Sequence, residues 1–81
     1  MEPKDKGKEI NEDVQKLARR IKSLRLKHGY SNYEHFAYDH DISRAQFGRY
    51  EKGEDIRFTS LSKIARAFNM TLQEFFSEGF D

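Results

Sequence analysis

A chain of 81 residues has room for one domain and buries only about 60% of its unfolded surface. Hydrophobic and charged residues each make up 36%, with seven phenylalanines and four tyrosines, so aromatic packing under a polar surface has to hold the fold. Cysteine is absent, which excludes disulfides, thiolate metal sites and cysteine nucleophiles, and 15 basic against 14 acidic residues leave a net charge of +1, so any attraction for nucleic acid must come from where the charges sit.

Residues 1–10 contain Pro3, Gly7 and mostly charged side chains, with only Met1 and Ile10 apolar, and predict a disordered charged tail ahead of a domain over residues 11–81. No apolar run approaches the roughly 18 residues of a membrane span, and the start MEPKDKGKEI has no signal-peptide hydrophobic region. The expectation is a cytoplasmic protein with no membrane partner.

From Asn11 the apolar residues Val14, Leu17, Ala18, Ile21 and Leu24 recur at helical spacing until Gly29, which predicts a first helix. At 100° per residue Lys16, Arg19, Arg20, Lys22 and Lys27 fall away from that stripe, while Arg25 lies at its edge and is the basic residue expected to touch the core. Ser31 and Glu34 read as a capping box that opens a second helix carrying Tyr33, Phe36 and Ala37 and ending around Tyr38 to His40. Ser43 with Gln46 repeats the capping logic, Ile42 can staple onto Phe47, and a third helix runs from about Arg44 to Lys52 with Gly53 as its left-handed stop. After a polar loop, Thr59 or Ser60 caps a fourth helix whose apolar face is Leu61, Ile64, Ala65 and Phe68. Thr71 and Glu74 form a further box, flanked by a possible staple from Met70 to Phe75, opening a short fifth helix.

The segment FAYDHDISRAQFGRYEKG, residues 36–53, places a short helix, a polar turn and a capped second helix in succession, the layout in which the second helix lies in a major groove. Phe47 and Tyr50 point one way on that helix, while Arg44, Ala45, Gly48, Arg49 and Lys52 spread over the other side. Phe36-Ala37, Ile42-Ser43, Phe47 and Tyr50-Glu51-Lys52-Gly53, followed by Leu61, Ile64, Ala65 and Phe68, resemble the Cro and lambda-repressor type helix-turn-helix domains, the XRE family, over about residues 13 to 77. The resemblance implies an all-α, five-helix, lambda-repressor-like fold and a transcriptional regulator that binds double-stranded DNA in sequence-specific fashion. It departs from the family's pattern at Asp41, where the family usually has glycine, so either Asp41 is left-handed or the turn is altered.

Base readout is expected from Arg44, Ala45, Gln46, Gly48 and Arg49, and phosphate contacts from Ser43 and Lys52. Where the family commonly has a phosphate-holding glutamine, this chain offers Asn32 or Tyr33. The family's E-x-G position implies an ion pair between Glu51 and Arg25. A homodimer on a two-fold operator is expected, with Phe76 and Phe80 as the surplus apolar surface beside Phe75. His35, His40, Asp39 and Asp41 could be drawn as a metal cluster, but lone imidazoles on short surface helices are usually unliganded. No metal, cofactor or small-molecule ligand is expected, and no serine, histidine and acid arrangement suggests an enzyme. The alternative is an antitoxin-like or regulatory protein-interaction module that keeps the fold, favoured by Asp39, Asp41, Glu54 and Asp55. RNA binding is a weaker third reading, since neither an aromatic-lined sheet nor a basic, aromatic-studded loop is visible.

Overall fold

The computed structural model describes residues 11–81, so the tail expected over residues 1–10 lies outside the described residues. Five helices follow one another: α1 (Glu12–Lys27), α2 (Tyr33–Asp39), α3 (Arg44–Glu51), α4 (Phe58–Ala67) and α5 (Leu72–Phe75). No strand occurs among the described residues, and the fold is the all-α bundle that the periodicities predict.

Helix starts follow the capping chemistry in three places and depart from it in two. Asn11 Oδ1 accepts from the amides of Asp13 and Val14 at 2.9 and 3.1 Å, with Glu12 and Asp13 favourably placed in the first turn. Ser43 Oγ accepts from the Gln46 amide at 3.3 Å, and Thr71 and Glu74 form a complete reciprocal box. The box expected at Ser31 is not formed. Asn32, as good a cap as serine, takes the role one residue later, its Oδ1 accepting from the amides of Glu34 and His35. Nor do Thr59 or Ser60 cap α4, which begins earlier, at Phe58, with Arg57 in the cap position and no side-chain cap bond. Burial of Leu61, Ile64 and Ala65 holds the helix without a side-chain cap, tertiary packing outweighing a cap worth about 1 kcal/mol.

Four helices end in the same way, with a left-handed residue after the cap and paired amide bonds running back five and three residues. After α1 these are Tyr30 N–H to Arg25 O at 3.1 Å and Gly29 N–H to Leu26 O at 3.0 Å; after α2, Ile42 N–H to Ala37 O at 2.8 Å and Asp41 N–H to Tyr38 O at 3.2 Å. Glu54 N–H to Arg49 O and Gly53 N–H to Tyr50 O, both 3.1 Å, close α3, and Met70 N–H to Ala65 O at 2.9 Å and Asn69 N–H to Arg66 O at 2.8 Å close α4. Of the two outcomes left open at Asp41, the left-handed form is the one taken, at φ +57°.

Phe36, Phe47 and Phe68 are fully buried and form the centre of the core, with Phe36 stacked on Phe68 at 4.7 Å and 5.2 Å from Phe47. Each fully buried side chain of this kind contributes about 1.5–3 kcal/mol relative to exposure. Arg20, expected on the polar face of α1, is instead buried. Its Nε donates to Phe75 O at 2.7 Å, its Nη2 to Glu74 O at 3.1 Å and its Nη1 to Glu78 Oε1 at 3.3 Å, so it satisfies the open carbonyl end of α5.

Candidate nucleic-acid interface

The connection between α2 and α3 is short and held at both ends. Asp41 directs its carbonyl toward α4, where Lys63 Nζ donates to it at 2.8 Å, and Ile42 packs against the core. Tyr30 buttresses α2 from the other side: its ring meets Phe36 edge-on at 5.2 Å and its hydroxyl donates to Asp39 Oδ2 at 2.8 Å. That hydrogen bond to the carboxylate, followed by desolvation and the repulsion between phenolate and Asp39, raises the Tyr30 pKa above its ordinary value.

The far end of α3 is fixed to α1 by an ion pair. Arg25 Nε donates to Glu51 Oε2 at 2.7 Å and Nη2 to Glu51 Oε1 at 3.0 Å, a bidentate pair whose side chains are 5% and 8% exposed. The remaining Nη1 donates to Tyr30 O at 2.7 Å, so the guanidinium joins α1, the α1–α2 connection and α3. Phe47 and Tyr50 complete the buried side of α3.

Opposite this side, Arg44, Ala45, Gln46 and Arg49 are exposed in succession on α3, with Lys52 exposed at its end. Gly48 does not join them. It is buried, and a Cβ placed on it would come within 2.8 Å of the Tyr33 ring and hydroxyl, so its lack of a side chain serves the contact of α2 with α3 and leaves it no access to a base. Tyr33 is half-buried, its ring stacked on Phe47 at 6.5 Å between centroids. Asn32 is exposed, and its Oδ1 is committed to the cap of α2. Ser43 is exposed at the start of α3, its oxygen serving as the cap. Arg49 carries a feature the spacing did not announce: its Nε donates to Glu54 Oε1 at 2.8 Å, with both side chains more than half exposed.

The other basic residues of α1 lie elsewhere. Arg19, Lys22 and Lys27 surround the exposed Leu26, and shallow grooves along this face are shared with Asn69, Glu74, Glu78 and Gly79, not with α3. At the C-terminal end Phe75 is fully buried and Phe80 packs back on the core, its ring 4.8 Å from that of Phe76. Of the two phenylalanines expected at a dimer surface, Phe80 is therefore largely used within its own chain and Phe76 remains 42% exposed.

Residues 20–77 match the family model of the Cro/C1-type HTH DNA-binding domain, a span that covers α2, α3, α4 and α5 completely and the C-terminal half of α1. The chain belongs to this family. Neither the curated proteins nor the solved structures yield a significant match. A Cro/C1-type domain is a DNA-binding unit, and this one carries its helix-turn-helix in α2 and α3. Among the described residues no helix is long and apolar enough to cross a membrane.

Proposed function

We propose that this Cro/C1-type domain is a transcriptional regulator that reads double-stranded DNA with α3 in the major groove. The observation that carries the reading is the division of α3. One side is locked by Phe47, Tyr50 and the buried Glu51, and the other presents Arg44, Ala45, Gln46 and Arg49 without a covering element. A recognition helix needs that combination, since base edges are read only by side chains held at a fixed angle. Arg44 in the first turn and Arg49 one and a half turns later are the base readers, with Ala45 admitting close approach and Gln46 flanking. Ser43, Lys52, Asn32 and the hydroxyl of Tyr33 supply phosphate contacts, which set register without sequence information. The working form is a homodimer through the C-terminal segment around Phe76, because one small domain makes few phosphate contacts.

The test is binding to a duplex selected from a random pool and to a scrambled duplex, each at two salt concentrations. Arg44→Ala and Arg49→Ala should each weaken the selected site by about 5- to 150-fold, the equivalent of 1–3 kcal/mol per arginine–guanine pair, and affect scrambled DNA much less. Lys52→Ala should weaken both duplexes alike and lower the salt slope by about one. The exposed Asp39, Asp41, Glu54 and Asp55 favour a protein-interaction module as the second reading. Both arginine variants binding both duplexes like the parent would favour it. Sedimentation of the parent and of Phe76→Ala tests the dimer, which a parent monomeric at high concentration would refute.

A further inference from the structure

We propose that Glu54 is a positioning residue for sequence readout, holding Arg49 so that its terminal guanidinium edge is presented to a guanine. The inference rests on the reading of Arg49 as a base contact and adds the residue that aims it. Three observations combine. Gly53, at φ +100°, turns the chain back on itself after α3, and the amide of Glu54 donates to the carbonyl of Arg49 at 3.1 Å. The same two residues are then tied a second time, side chain to side chain, by the 2.8 Å bond from Arg49 Nε to Glu54 Oε1. That bond uses the inner nitrogen, and among the described residues Nη1 and Nη2 donate to nothing.

The free pair of nitrogens is the edge that can donate in parallel to O6 and N7 of guanine, the acceptors that distinguish G·C in the major groove. An exposed arginine without a brace samples many rotamers and loses that freedom on binding; one already held by a carboxylate on a fixed backbone has less to lose. Glu54 also places a negative charge beside the phosphates. It therefore weakens attraction to every duplex equally while sharpening the response to one base, so its removal should move affinity and discrimination in opposite directions.

The experiment compares Glu54→Ala, Glu54→Gln, Arg49→Ala and the Arg49→Ala/Glu54→Ala double variant in the full chain, on the selected and scrambled duplexes, after thermal melts show each is folded. Glu54→Ala should bind scrambled DNA more tightly and lower the ratio of the two affinities about three- to tenfold, by freeing one rotamer-rich side chain. Glu54→Gln keeps an oxygen that accepts from Nε, so it should tighten scrambled binding too yet hold the ratio within about twofold of the parent. On the Arg49→Ala background Glu54→Ala should leave the ratio unchanged. If Arg49→Ala itself spares the ratio, the assignment of readout to Arg49 fails. If Arg49→Ala collapses the ratio while Glu54→Ala leaves it intact, or Glu54→Gln falls as far as Glu54→Ala, the positioning role alone is overturned.

Discussion

Two arginine–glutamate pairs flank the end of α3, and they share chemistry while differing in surroundings. Arg25 and Glu51 meet through two hydrogen bonds with side chains 5% and 8% exposed; Arg49 and Glu54 meet through one, with side chains 52% and 55% exposed. In the first, water is excluded and each charge depends on the other, because an unpaired buried charge carries a large desolvation cost. In the second, water competes for both groups and the attraction is worth 0–1 kcal/mol at most. The inner pair therefore fixes where α3 lies, whereas the outer pair can arrange a side chain on it and still yield to another ligand.

The comparison can be broken most severely at its buried member. Glu51→Gln should lower stability by about 3–5 kcal/mol, read as a large drop in melting temperature, since Arg25 keeps its charge and loses its bidentate partner. A melting temperature unchanged from the parent would mean that the pair does not hold the bundle. Less severe is Gly53→Ala, which forces a side chain into the left-handed region at the hinge between the pairs, where its Cβ would also meet Gln15. The expected loss is about 1–2 kcal/mol in chemical denaturation, chiefly from backbone strain because the end of Gln15 can move aside. Smallest is Glu54→Ala, whose effect on stability should stay below about 1 kcal/mol by the same measurement. A loss comparable with that of Glu51→Gln would erase the distinction between the two pairs.

Apolar periodicity located α1 and α4, whose stripes bury against one core, and capping chemistry located the three short helices, to within one residue for α2. The Arg25–Glu51 pair was legible from the edge position of Arg25 and from the likeness to the helix-turn-helix family. What escaped the sequence depends on partners distant along the chain or on choices between adjacent equivalents. Arg20 looked like a surface cation because its acceptors are carbonyls of α5, supplied 54 and 55 residues later. Gly48 fitted a close approach to DNA as well as it fitted a close approach to Tyr33, and only the packing of α2 on α3 decides between them. Ser31 and Asn32 are neighbouring caps of similar strength. Glu54 lies five residues beyond Arg49, which is not a helical pairing distance, and comes within reach only because Gly53 reverses the chain.

The closures that end α1, α2, α3 and α4 bear on how the molecule breathes. Connecting segments are ordinarily the first parts of a small domain to open, and their amides exchange with solvent long before those of the helices. Here the amides of Tyr30, Ile42, Glu54 and Met70 are each bonded to a carbonyl inside the preceding helix, so each connection opens together with that helix. Each helix and the connection that follows it then form one unit, with α3 suspended between an anchored turn and an anchored end. When such a unit meets a groove, the backbone has already surrendered its freedom, and the entropy still to be lost belongs to a few long side chains.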